Sequence, residues 1–187
     1  MQASERAAHP KPEIVENYRD YEPPAEFRKL VEDLLVTVPS NYLAGLKAVV
    51  LTNRAALTRD QLKQRVKHRN NRYHLAEAAG AYYEATRSRP ATIWIFVDNI
   101  MRSVPSWSLR APFIRYEPLC GYLYHEIGHH IHAVHKPIYE GKENVADDWS
   151  RKLSTVFYRR HYWYLLPLLW FFWPFYELSK RIKNMVR

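Results

Sequence analysis

The segment His125-Glu126-Ile127-Gly128-His129 constrains this 187-residue chain more than any other. On a helix, residues four positions apart lie on one face, so His125 and His129 can direct two imidazoles at the same metal ion. Glu126 follows the first histidine and can reach a water held by that metal. Imidazole suits zinc, which lowers the pKa of bound water to about 7. The segment therefore predicts a hydrolytic zinc centre with Glu126 as general base.

Apolar residues flank this motif at the spacing of a helix that is buried on one face. They are Leu119, Tyr122, Leu123, Ile127 and Ile131. Pro118 fits the first helical turn, where its missing N–H leaves no hydrogen bond unmade. These positions predict a helix that begins near Pro118 and carries the motif.

Two residues compete for the place of third metal ligand. The first is Glu143, fourteen positions after His129. Gly141 gives the chain a place to turn, and a second helix that starts near Lys142 would bring Glu143 back to the metal. Asp147 lies one helical turn further on the same face. Its carboxylate can accept the free ring N–H of a ligating histidine and so fix the tautomer.

The second candidate for the third ligand is His135. The run from His125 to His135 nearly matches H-E-x-x-H-x-x-G-x-x-H, the metzincin pattern. That pattern requires a glycine at the position of His132, where it breaks the helix so that the last histidine can turn back. A continuing helix would direct His135 away from His125, and the one downstream methionine, Met185, lies in the basic tail rather than in a Met-turn. The spacing favours Glu143, and His135 stays the alternative.

Residues 117–153 resemble a gluzincin metallopeptidase with His125, His129 and Glu143 as zinc ligands. The step from Glu143 to Asp147 is similar to the thermolysin-type arrangement. The short chain and the close succession of H-E-x-G-H and E-x-x-A-D also resemble the minigluzincins and the ImmA/IrrE-like peptidases, some of which cleave transcriptional repressors. The resemblance implies a protein or peptide substrate, with the motif's glutamate as general base and Asp147 orienting a ligating histidine. No residue is assigned to oxyanion stabilisation.

The chain is long enough for one domain with a substantial core, and 47% of its residues are hydrophobic. Apolar residues follow helical spacing over residues 25–38, and the most strand-like segments are 46–52, 79–86 and 91–98. In this order a helix comes first, strands follow, and the helix with the metal motif comes last, which is the order of a zincin-like α+β domain. We predict a small mixed β-sheet packed on the H-E-x-x-H helix and on the ligand helix that follows it.

Three regions are predicted along the chain. Residues 1–24 are polar and punctuated by prolines, which predicts a loosely packed arm. Residues 25–160 would form the zincin-like metallopeptidase domain, and residues 161–187 an apolar aromatic segment with a basic tail. In the resembling family, a strand before the metal helix commonly borders the cleft and pairs with extended substrate, which implies this role for residues 91–98. A simple core strand is the alternative.

Residues 61–72 hold five Lys or Arg residues and no acidic residue. A run of this kind can bind phosphates or anionic lipid, but we interpret it as the solvated face of a helix. The formal net charge of the chain is +9, which favours an anionic partner. Nucleic acid is not an expected partner, because the sequence holds no nucleic-acid-binding motif, zinc finger or phosphate loop.

Residues 162–176, YWYLLPLLWFFWPFY, form fifteen positions without a charge. Basic residues precede and follow them, and tryptophan and tyrosine prefer the level of the lipid headgroups. A spanning helix needs about 20 apolar residues, and Pro167 and Pro174 interrupt this segment. The pattern predicts attachment of residues 162–187 to an anionic membrane surface. Packing onto the domain or onto a second copy is the alternative, since water is a poor environment for such a segment.

Residues 1–24 contain no apolar run typical of a secretory signal, and the single cysteine, Cys120, cannot form an internal disulfide. We expect a cytoplasmic protein that can attach peripherally to a membrane. The predicted function is hydrolysis of peptide bonds by a zinc metalloendopeptidase. The alternative is a catalytically silent zinc-binding protein or a membrane-associated interaction protein, and the sequence leaves the oligomeric state open.

Overall fold

Short strands and helices alternate along the chain in a mixed α+β arrangement, which confirms the predicted fold class at this level. The computed structural model describes residues 11–68, 71–104, 116–135 and 142–165. The chain divides into two compact units, residues 1–154 and residues 155–187.

Six strands and five helices lie within the described residues. The strands are β1 (Glu13–Asn17), β2 (Leu46–Thr52), β3 (Arg65–His68), β4 (Asn71–His74), β5 (Gly80–Tyr83) and β6 (Ala91–Phe96). The helices are α1 (Phe27–Thr37), α2 (Arg59–Lys63), α3 (Val97–Ser103), α4 (Tyr116–His135) and α5 (Lys142–Tyr162). The helix predicted over residues 25–38 and the strand over 46–52 are confirmed. The other two predicted strands are shorter than expected, and β6 passes directly into α3.

Four of the strands form one mixed sheet in the order β1-β2-β6-β5. The strands β1, β2 and β6 run parallel, and β5 runs antiparallel to β6 at the edge. Apolar side chains of β2 and β6 form the fully buried centre: Val49, Leu51, Ile93 and Ile95. Helix α4 contacts β5 and β6, and α1 contacts α4.

Helix α4 buries one face, as its sequence predicts. Leu119, Leu123, Ile127 and Ile131 recur every four residues and are at most 3% exposed. Cys120 is a buried core residue, while Tyr122, predicted on the same face, is 40% exposed. The buried face fixes the rotation of the helix, and with it the direction of the two motif histidines.

Strand β6 lies in the interior of the sheet, between β2 and β5. Its backbone groups are used in both ladders, so it has no edge for an extended peptide. The substrate-pairing role implied for residues 91–98 is therefore wrong, and the alternative, a core strand, is correct. The sheet edge that contacts α4 belongs to β5.

The polar arm predicted over residues 1–24 contains part of the sheet, because β1 pairs with β2. The Thr52 hydroxyl donates to the carbonyl of Asn17 at 2.8 Å. The Asn53 side chain accepts from the backbone N–H of Arg19 at 2.9 Å and donates to its carbonyl at 2.8 Å. Both side chains are buried. Hydrogen bonds of this kind do not require an apolar pattern in the sequence. Residues 1–24 therefore look like a loosely packed arm although they contain β1.

The basic segment at residues 61–72 does not form one helix face. Helix α2 ends at Lys63, and the segment continues into the antiparallel hairpin β3–β4. Val66 and Tyr73 lie opposite each other in this hairpin and pack against an apolar cluster that includes Phe96. The interpretation of this segment as a helix face is wrong. It was based on the basic residues, whereas the apolar cross-strand pair of Val66 and Tyr73 favours a hairpin.

The second unit is described as far as residue 165, through the end of α5 and a 3₁₀ turn at Trp163–Leu165. Within it, the His161 ring stacks on Phe157 with a centroid distance of 4.4 Å. Among the residues that the structure describes, no helix is long and apolar enough to cross a membrane. Most of the segment predicted to attach to a membrane, residues 166–187, lies outside the described residues.

Candidate metal centre

Two helices bring the three predicted metal ligands together. Helix α4 presents His125 and His129 one turn apart, with ring centroids separated by 4.7 Å. From the first turn of α5, Glu143 places Oε2 3.6 Å from Nε2 of His125 and Oε1 3.8 Å from Nε2 of His129. One ligand atom from each residue lies within 4.8 Å of the others. A single ion can therefore contact all three.

The donor set of two imidazole nitrogens and one carboxylate suits zinc. Two ligands on a tetrahedral zinc, with bonds of about 2.0–2.1 Å, lie about 3.4 Å apart. The two nitrogen–oxygen separations of 3.6 and 3.8 Å are close to that value. Three protein ligands leave one tetrahedral position for water or substrate, which is the pattern of catalytic zinc sites.

Asp147 lies one turn after Glu143 and faces the other nitrogen of the first histidine. Its Oδ1 is 3.1 Å from Nδ1 of His125. A neutral His125 that donates its Nδ1–H to Asp147 keeps the lone pair of Nε2 toward Glu143. The structure thus places Asp147 where it can orient a ligating imidazole.

The close approach of α4 and α5 occurs at Gly128. A Cβ built on this glycine would lie 2.6 Å from Cα of Ala146 and 2.8 Å from its carbonyl oxygen. Ala146 is fully buried and stands between Glu143 and Asp147 in the chain. Backbone rather than a flexible side chain fills the space beside the glycine. The glycine of the motif therefore permits the helix approach that brings both carboxylates to the histidines.

We expect Gly128→Ala to lower the free energy of unfolding by about 1–3 kcal/mol, because the methyl group must displace the backbone of α5. Zinc affinity should fall with it, since Glu143 moves with α5. Gly121→Ala on the same helix is the matched control, because a Cβ there meets nothing within 4 Å. Alanine favours a helix over glycine by about 1 kcal/mol, so the control should gain stability. Urea denaturation and zinc titration measure both effects, and equal stability changes in the two variants would contradict this packing role.

Glu126 is buried against the edge strand β5. The peptide N–H of Tyr82 donates to its carboxylate. A Cβ on Gly80 would lie 2.9 Å from both Cγ and Oε1 of Glu126. Burial, followed by the negative charge of Glu143, raises the pKa of Glu126 to about 8. A cation held by the neighbouring ligands would oppose this shift, because positive charge favours the carboxylate.

His130 fixes the strand that holds Glu126. It is 1% exposed, and its Nε2 lies 3.0 Å from the carbonyl of Ala44. A carbonyl only accepts, so Nε2 carries the hydrogen and Nδ1 accepts from the Tyr82 hydroxyl at 3.2 Å. Burial lowers the pKa of His130, which keeps the ring neutral. The imidazole thereby ties α4 to β5 at the residue whose N–H binds Glu126.

Tyr73 on strand β4 lies within electrostatic range of the site. Burial, and then the charges of Glu126 and Glu143, raise the pKa of its phenol. No pattern in the sequence singles out Tyr73, Tyr82 or His130 as part of the site. His130 is adjacent to the motif, but only its burial distinguishes it from His132 and His135, which are half-buried and exposed. The two tyrosines belong to short strands far upstream, and no local pattern links them to the motif.

His135, the alternative third ligand, lies apart from this group. Helix α4 continues through His132 to His135, as expected where glycine is absent. The His135 ring packs edge-on to Tyr42 with a centroid distance of 5.9 Å. Within the described residues, the group that could hold a metal consists of His125, His129 and Glu143.

Comparison with models of protein families, with curated proteins and with solved structures finds no significant match to this chain. The assignment of a function therefore depends on the residues themselves. Those residues are three side chains that could hold a metal ion, an aspartate that contacts the first histidine, and a buried glutamate beside that histidine.

Proposed function

We propose that this protein is a zinc metalloendopeptidase of the gluzincin type with a zincin-like fold. One observation carries the proposal: His125, His129 and Glu143 surround one position, with Glu126 buried next to them. Holding a metal does not require an acid beside the first ligand, whereas activating a water does. The mixed sheet supports the zincin-like assignment, because its antiparallel edge strand lies against the metal helix.

The proposed reaction divides the work between the ligands and Glu126. His125, His129 and Glu143 would hold the ion, and Asp147 orients His125. When bound, zinc would polarise the scissile carbonyl and make the attacking water more acidic. Glu126 takes a proton from that water and then gives it to the leaving amine. The N–H of Tyr82 keeps the carboxylate of Glu126 in position during both transfers.

An extended peptide fits the edge of β5 as substrate. In the described part of the chain, β5 pairs with β6 alone, so one side of β5 has no partner strand. Gly80 and Tyr82 of this strand contact Glu126, and the Tyr82 N–H already donates to its carboxylate, so a peptide added here would bond the remaining backbone groups of β5. Addition of a peptide to a sheet edge supplies backbone hydrogen bonds that do not depend on sequence. The β5 edge therefore takes the role that the resemblance implied for residues 91–98.

The proposal is tested by metal content and by reversible inhibition. We expect about one zinc per chain by elemental analysis, as for a single three-ligand site. Cleavage of casein should stop when a chelator removes the metal and should return when zinc is restored. A chain without zinc after metal-supplemented purification would overturn the proposal. Zinc without cleavage would favour the alternative, a catalytically silent zinc-binding protein.

A further inference from the structure

The last turns of α5 carry an exposed face that combines apolar and basic side chains. Val156, Arg159, Arg160 and Trp163 follow the spacing i, i+3, i+4, i+7, which places them on one side of a helix. All four are exposed, Val156 by 51% and Trp163 by 67%. Phe157 lies about a third of a turn of the helix from the centre of this face and is fully buried.

Positive charge is concentrated in the same unit. Residues 155–187 hold six Lys or Arg residues and one acidic residue, so they carry +5 of the net charge of +9. Among the described residues, no acidic side chain pairs with Arg159 or Arg160. Each basic residue near an anionic bilayer gains attraction that acts within about a Debye length. The two arginines of the face and the net positive charge of the unit thus complement a negatively charged surface.

A run of aromatic residues begins at Tyr162, two positions after the second arginine. Trp163 is 67% exposed and Tyr164 is 55% exposed. They stand near the start of the fifteen uncharged positions 162–176. Tryptophan and tyrosine favour the headgroup level of a bilayer, where the ring is buried and the polar atom stays hydrated. An aqueous protein partner does not require this combination of adjacent aromatic, uncharged and basic stretches.

We propose that the end of α5 docks on the surface of an anionic lipid bilayer. Trp163 and Tyr164 enter the headgroup layer, and Arg159 and Arg160 face the lipid phosphates. This attachment is interfacial, as in other helices that combine a basic face with aromatic residues. It uses no residue of the metal centre, so it stands independently of the proposed enzymatic function.

The test is sedimentation of the full chain with vesicles of phosphatidylcholine, with and without phosphatidylserine. We expect the anionic vesicles to bind at least about tenfold more tightly. Arg159→Gln with Arg160→Gln should weaken binding to anionic vesicles on the order of tenfold. Trp163→Ser with Tyr164→Ser should weaken binding to both kinds of vesicle. Circular dichroism of each variant establishes that these exposed substitutions leave the fold intact.

The matched control is Lys11→Gln with Lys47→Gln, two exposed lysines, one just before β1 and one in β2. This pair removes the same charge from another part of the chain, and lipid binding should change less than about twofold. An equal loss in the control and arginine variants would show general attraction by net charge and would overturn the proposal. Equal binding to neutral and anionic vesicles, or none to either, would also overturn it. So would a lipid-free dimer that the Trp163 and Tyr164 substitutions convert to a monomer, because the face would then serve a second copy.

Discussion

Glu126→Gln is expected to keep its zinc and to lose peptide cleavage by a factor on the order of 10²–10⁴, the usual contribution of general acid–base catalysis. The amide has nearly the shape of the carboxylate, so the buried space between α4 and Gly80 stays filled. It cannot take a proton from water at neutral pH. The proposed ligands His125, His129 and Glu143 are unchanged, so the zinc content should not change. Casein cleavage and zinc analysis on the same preparation separate the two effects.

Glu117→Gln is the matched control for this substitution. Glu117 lies on the same helix and is exposed, so the identical chemical change should leave both cleavage and zinc unaltered. Cleavage by Glu126→Gln at the wild-type rate would contradict the proposed proton transfer. Loss of zinc together with cleavage would instead assign Glu126 a role in holding the site.

Glu143→Ala is expected to abolish stoichiometric zinc binding, whereas His135→Ala should keep it. Glu143 places one oxygen within 3.6 Å of His125 and the other within 3.8 Å of His129, so its removal takes away one of three donors. The ring of His135 packs on Tyr42 instead. Asp147→Asn should give an intermediate result, with zinc affinity weaker by about 10–100-fold. His125 remains in place, but the side chain that orients it loses its charge.

Competition with a coloured chelator measures zinc affinity across this series. Circular dichroism of each variant separates a loss of folding from the loss of a donor. Loss of zinc in His135→Ala with retention in Glu143→Ala would contradict the gluzincin ligand set. It would favour the metzincin-like alternative that the sequence leaves open.

The side chains of the candidate metal centre could be predicted because they follow local patterns in the sequence. The step of four residues from His125 to His129 is a helical repeat, and so is the step from Glu143 to Asp147. The two helices themselves follow from apolar spacing and from Gly141. The point where the two helices cross could not be predicted, since the contact of Gly128 with Ala146 depends on two helices meeting in space.

The neighbours of Glu126 could not be predicted for the opposite reason. Gly80 and Tyr82 lie more than forty positions upstream, and a sequence shows that a strand is buried but not which strand lies beside it. Residues 91–98 have the strongest strand pattern because β6 is interior, and that same position removes any free edge. The strand with an edge at the site, β5, is short and has a weak pattern.

Sequence separation divides the proposed site into two parts that assemble under different constraints. His125 and Glu143 are eighteen positions apart, whereas Tyr82 and Glu126 are forty-four positions apart. The entropy of closing the longer loop exceeds that of the shorter by only about 0.8 kcal/mol. The larger difference is topological. The position of Glu126 against β5 also requires β5 to pair with β6 and His130 to contact Ala44. Helices α4 and α5 alone therefore suffice to group the side chains that would hold a metal. The arrangement proposed for catalysis is a larger unit, because it also requires the sheet that positions Glu126.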